Sequence, residues 1–479
     1  MRPARPAVAP VVRALAVAAL AALTAGATQC SYRKHTFGSS ATQTATGSIT
    51  GFGSTFVGGT EFSTANATIR VDGASAAESA LAPGQVAVVA GRPASGGATP
   101  GADTITVDAA LVGAVDAVDA AAGTVTVLGT TVHFGADTSY GSGIDAAGTA
   151  PPLAVGDRIA VHGWSGAAGP VYATRVERAA ASRDLQVAGR LTSLDAGAKT
   201  YATRGAVVDY SAATSVDAAL AAGAVAVATG TTTNPDGSLR ASVVSVRADP
   251  TVANGDAGDL EGLVTRYASA TDFDVAGRTV STGSTTTFVN GVAGDLAAGV
   301  RLVVHGTYDA SAHLNASRVQ FARAAHFRVL APVETFLASG GGWTGGGVTV
   351  QVDARTRYED RSSLALRTFR LADLHTGEWV EARGVEESAS RTATALVVER
   401  RDVPPGLRYE LQGLAQDAVD PGLTLVGVPV VTTGAEFRDA AGALLTSVQF
   451  YSRAAGAPVV ARGRFSGTTL VADSVQLRP

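Results

Sequence analysis

The sequence predicts an all-β chain, a tandem array of about six small five-stranded β-barrels of OB-like or SH3-like plan. Three observations lead there. One stretch keeps returning: Leu296 to Gly306 (LAAGVRLVVHG) has gap-free relatives at Leu81 to Gly91, Leu153 to Gly163, Leu220 to Gly230 and Leu374 to Gly384, and a sixth copy at Arg453 to Gly463 keeps both glycines. Composition points the same way, with 56 glycines, 6% aromatics and β-branched residues in short runs, a mixture that suits many short strands joined by turns. Finally, 479 residues exceed one ordinary domain, so a repeat array or several domains is expected.

The chain opens on what reads as an export signal, residues 1–27. Arg2, Arg5 and Arg13 precede the apolar run Ala14 to Leu23, and Ala25-Gly26-Ala27 supplies small residues for cleavage. The apolar run is shorter than the ~20 residues that span a bilayer. The single cysteine, Cys30, is a candidate lipidation site. However, Ala27-Thr28-Gln29 is a poor lipobox, and cleavage after Ala27 leaving a free thiol is the preferred reading. One cysteine forms no intramolecular disulfide, so the cores must hold by packing. Residues 28–46 are Ser/Thr-rich without apolar period and read as a flexible linker.

The repeats follow at 47–108, 111–180, 184–250, 259–324, 326–402 and 407–479, here numbered one to six. A first strand opens each, as in Leu111-Val-Gly113-Ala-Val115 and Leu260-Glu-Gly262-Leu-Val264. Alternation broken by glycine, as in Val125 to Val132, Phe273 to Val280 and Leu423 to Val430, marks a hairpin of the second and third strands. After a variable connection comes the recurring stretch, a turn glycine followed by a fourth strand that ends on a second glycine. A fifth strand closes each copy (Ala102 to Ile105, Ala173 to Val176, Ala316 to Val319). Short joints between copies predict a semi-rigid row of barrels.

Side chains of a strand alternate between faces, so equal offsets should share an environment. Within the fourth strand Ile159/Val161, Leu302/Val304, Val380/Ala382 and Val459/Ala461 form the expected buried face. The other parity carries Arg158, Arg301, Trp379, Glu381, His162, His305 and Arg383, and is expected to face outward. By that logic His162 and His305 are surface histidines rather than metal ligands, since a tetrahedral site wants three or four converging donors.

No motif specifies catalysis: GxSxG, HExxH and a phosphate-cradling loop are all missing from the sequence. The run Gly340 to Gly347 reads as a hairpin loop displaying Trp343, and Asn254 to Asp259 as a linker turn rather than a calcium loop. A net charge of −4 gives no drive toward nucleic acid or anionic membranes. Trp164, Trp343 and Trp379 remain as weak ligand-surface candidates, suited to saccharide stacking on barrel loops.

The opening GSITGFGSTFVGGTEF, the LxxGxxxxxxG stretch and the Axx[VIL] closure resemble the bacterial domain-of-unknown-function family 5666, which resembles tandem small β-barrels on exported proteins and lipoproteins. Repeat one resembles it best and repeat five least. The resemblance carries no catalytic or binding residues. The expectation is a non-enzymatic protein of the periplasm or cell envelope, lipid-anchored or secreted, whose barrels act as spacer, scaffold or binding array. A glycan-binding module is the alternative and a hydrolase a distant third. No cofactor is expected. The partner classes are envelope polysaccharide or another envelope protein, not nucleic acid, with membrane contact only through a lipid anchor.

Overall fold

The computed structural model describes residues 42–51, 55–93, 99–144, 153–166, 169–387 and 391–478. The export-signal reading and Cys30 lie outside those residues. The described chain is mostly β. Repeats two and four each close into a five-stranded barrel. In repeat four the strands Ala257–Ser269, Asp272–Val275, Arg278–Val289, Arg301–Tyr308 and Leu314–Phe321 lie in the order first, second, third, fifth, fourth, with the fourth returning to the first. Every pairing is antiparallel except third to fifth, which is parallel. Repeat two has the same order and the same parallel pair. Among the described residues the remaining repeats form sheets that do not close by hydrogen bonding.

Three kinds of glycine explain why each copy folds alike. The turn glycine before the fourth strand sits in the left-handed region in every copy, with φ between +72° (Gly456) and +92° (Gly156). The closing glycine has a different cause. A Cβ there would sit 2.0–2.2 Å from a carbonyl oxygen of the paired strand, at Gly91, Gly163, Gly230, Gly306, Gly384 and Gly463 alike. The pattern suggested that the fourth strand ends at this glycine; in repeat three it does (Val225–Gly230), but in the other five copies it runs through it. The ladder slips there (between His305 and Gly306, and between Arg383 and Gly384), so the glycine marks a β-bulge that bends the strand around the barrel. The third kind lies on the first strand, where a Cβ at Gly262 would press on Ala276 at the hairpin turn.

The expected buried face is buried: Ile159, Val161, Leu302, Val304, Val380, Ala382, Val459 and Ala461 all line cores. The expected row of barrels is corrected. First strands pair across repeats: Leu111–Asp119 with Leu185–Arg190, Phe327–Pro332 with Tyr409–Leu414, and Gln43–Ser48 with Ala257–Ser269. Repeats two and three therefore share a sheet, as do five and six, but repeat one joins repeat four rather than its neighbour in sequence. Repeat two is the hub, touching repeat one (Thr174 hydroxyl to the Gly84 carbonyl), repeat four (Arg301 to Asp137) and repeat five (Arg357 to the Thr174 carbonyl).

This folding back also corrects the linker. Its last residues begin the strand Gln43–Ser48, which is flanked on both sides by strands and holds Gln43, Thr44 and Ser48 buried. Polarity concealed it, because its polar side chains are met by partners in repeat four, such as Glu261, which accepts from the Ser48 N–H and hydroxyl at 2.9 and 2.8 Å.

Candidate functional site

The parity expected to face solvent is where the structure concentrates its chemistry. In repeat five, Glu381 and Glu399 stand directly opposite each other on the strands Trp379–Glu386 and Thr392–Arg401, and both are fully buried. On the other flank Arg328 stands opposite Arg383. Like charges directly opposite are destabilising, so the attraction must run diagonally, and it does. Arg383 lies 3.1 Å from Glu381 and 2.5 Å from Glu399; Arg328 reaches Glu381 at 3.2 Å and Glu410 of repeat six at 3.1 Å. Arg401 and Arg361 complete the shell around Glu399 at 3.1 and 3.5 Å. Burial opposes ionisation of Glu381, but the surrounding guanidinium groups win and hold its carboxyl well below the ordinary range.

The network continues into repeat two. Arg383 donates to the Thr138 carbonyl and lies 5.5 Å from the Tyr140 ring, whose hydroxyl is pushed up to about 12 by burial. Arg175 bridges Glu177 and Glu359, each at 3.2 Å, and donates to the Pro83 carbonyl of repeat one. Glu359, where burial and the Glu399 charge outweigh Arg175, is raised. Arg301 joins Asp137 to Glu261 at 2.5 and 2.7 Å, linking repeats two and four.

Several expectations are corrected here. His162 is not a surface histidine: it is 2% exposed, 3.8 Å from Glu177, with its Nδ1 unpartnered. His305 is half-buried, and its Nδ1 meets Asp259, whose other oxygen accepts from Thr60 of repeat one. None of the three tryptophans displays a ring to solvent. Trp343 lies in the hairpin Gly342–Gly345/Val348–Gln351 opposite Val350, so alternation points it into the core. Trp379 is covered by Tyr409 of repeat six at 5.1 Å. Trp164 is 5% exposed with its Nε1 unpartnered.

In the Asn254 to Asp259 segment the acids serve the fold: Asp256 accepts from the Thr42 and Ala253 N–H groups. Among the described residues no group of three or more His, Cys, Asp or Glu could hold a metal ion. Trp164 does flank a flatter feature. Its neighbour across the ladder, Tyr172, is 46% exposed and stacks on His133 at 5.0 Å and 14°.

A cleft is a further candidate site. It measures about 650 Å³ and lies in repeat five, lined by Phe336, Tyr358, Arg370, Leu371, Ala372 and Leu374. Sequence reasoning missed it because most of its walls, Tyr358 and Arg370 to Leu374, come from the variable connection between the third and fourth strands. It also missed the ionic junction, although Glu381-Ala-Arg383 and Glu399-Arg-Arg401 on strands of one repeat carry the signal.

The family model for the Domain of unknown function (DUF5666) matches residues 46–99, 112–177, 261–320 and 332–399. The chain belongs to the DUF5666 family. The matched DUF5666 segments fall on repeats one, two, four and five, so repeat five, which looked most diverged, is matched, while three and six lie outside these segments. No curated protein matches the chain.

Proposed function

We propose that this DUF5666 protein is a non-enzymatic, exported cell-envelope scaffold whose six segments are versions of one OB-like unit locked into a single body. The carrying observation is where the charges sit. Glu381, Glu399, Arg328 and Arg383, with Arg175 and Arg301, lie between repeats and bond to one another and to backbone carbonyls. Groups engaged in that way hold elements together. A buried ion pair is weak evidence for net stability, but it discriminates sharply between right and wrong partners. Here it would specify which repeats meet. The parallel third-to-fifth strand pairing that recurs through the chain supports one ancestral unit. Export rests on the leader sequence alone.

The test is a broad hydrolase substrate panel on the mature chain. No turnover is expected. Turnover abolished by His305→Ala or Asp259→Asn would overturn the scaffold reading, since among the described residues that pair is the imidazole–carboxylate contact at hydrogen-bond distance, 2.5 Å.

A glycan-binding role is favoured by one observation, the stacked Tyr172–His133 platform, whose imidazole is shifted below its ordinary value by burial. Glycan-array binding lost in Tyr172→Ala would support it.

A further inference from the structure

We infer that the cleft of repeat five binds a small apolar carboxylate, an acyl or aryl chain carrying one carboxyl group. The cleft exists because of how repeat five builds its connection between third and fourth strands. In repeat six the same connection forms the helix Ser447–Ala454, which sends Phe450 and Ala454 fully into the core. Repeat five has only the single turn Leu371–Asp373 there, with no buried residue. Phe369 enters the core beside it, edge-on to Tyr358 at 6.3 Å. What remains is a depression of about 650 Å³ with apolar walls from Phe336, Tyr358, Leu371 and Leu374. That volume and lining suit a small organic ligand.

Charge selects the ligand's polar end. The acids of this connection are already engaged. Asp360 holds Arg400 and accepts from the Ser362 and Leu366 N–H groups, Glu378 faces Arg400 at 3.4 Å, and Asp373 accepts from the Arg370 N–H at 2.9 Å. The Arg370 guanidinium, which lines the cleft, makes no hydrogen bond or ion pair among the described residues. One free guanidinium over an apolar floor matches one carboxylate on an apolar body, and its planar fork can bind both oxygens.

Isothermal titration of the mature chain with octanoate, 4-phenylbutyrate and octanol tests this. Both carboxylates should bind one to one, roughly tenfold or more tighter than octanol, the factor expected of one charge-assisted contact. Arg370→Gln should bring octanoate down to the octanol affinity and leave octanol unchanged. Ala372→Trp, which fills the cleft from an exposed position, should abolish binding of both at an unchanged melting temperature. Failure of both carboxylates to bind, equal affinity for octanoate and octanol, or no effect of Arg370→Gln would overturn the inference. None of these outcomes bears on the scaffold reading.

Discussion

Repeats five and six share one sheet and one hydrophobic cluster, yet they treat the same two positions in opposite ways. At the barrel connection, repeat six caps a helix with Thr446 and buries Phe450, whereas repeat five leaves a cleft. On the outer face of the fourth strand, repeat five buries Trp379, Glu381 and Arg383, where repeat six has Pro458, Val460 and Arg462. The strand plan and the buried inner face (Val380 and Ala382, Val459 and Ala461) are common to both. What differs is what each repeat must meet: repeat five touches repeats one, two and six, and its outer face is built for those contacts.

The strongest way to break the comparison is to remove a charge that repeat six does not have. Glu381→Ala should destabilise the protein by about 3–5 kcal/mol, because the buried Arg328 and Arg383 lose a shared carboxylate and keep only Glu410 and Glu399 respectively; the urea midpoint measures it. Phe450→Ala removes the plug of repeat six and should cost about 3–4 kcal/mol. It should also leave octanoate binding in repeat five intact, which separates the two connections.

A third change should go the other way. The side-chain nitrogens of Arg478 are buried without a hydrogen-bond partner among the described residues, and burial pulls that guanidinium down to about 9. Arg478→Met should therefore stabilise by about 1–2 kcal/mol, read as a raised melting temperature. The smallest effect belongs to the cap: Thr446→Ala, which loses the Gln449 N–H contact at 3.2 Å, should cost about 1 kcal/mol.

Acid tests the ionic face as a whole. Glu177, held at about 2 against its burial by His162 and Arg175, and Asp137 and Glu261, held low by Arg301, all have folded values below their ordinary ones. Their stabilisation is thus complete above the ordinary carboxylate range and is lost as pH falls toward 2. Glu359 is shifted upward and contributes with the opposite sign, favouring the fold at low pH and losing that contribution as pH rises through its raised value. The downward-shifted groups outnumber it, so the melting temperature should fall steadily below about pH 4.5.

Much of the unit was legible in the sequence. Turn glycines, the hairpin restarts and the apolar offsets of the fourth strand depend on local geometry that every copy repeats, so comparing copies exposed them. The outer face was not legible, because its burial depends on which repeat lies against it. His162 and Arg383 occupy a position that other copies fill with Ala90 or Thr229, and variability read as freedom was specificity for different neighbours. The strand Gln43–Ser48 was hidden for the same reason, its Ser/Thr side chains being satisfied by a repeat far along the chain. The cleft of repeat five required knowing that one connection makes a helix and its sister does not.

The central claim is that the outer faces lock the repeats into one body. Small-angle X-ray scattering of the mature chain tests it most directly. A compact chain of this length should give a radius of gyration of about 22 Å, unchanged between low and moderate salt. A value roughly twice that, as six barrels in a row would give, would contradict the account.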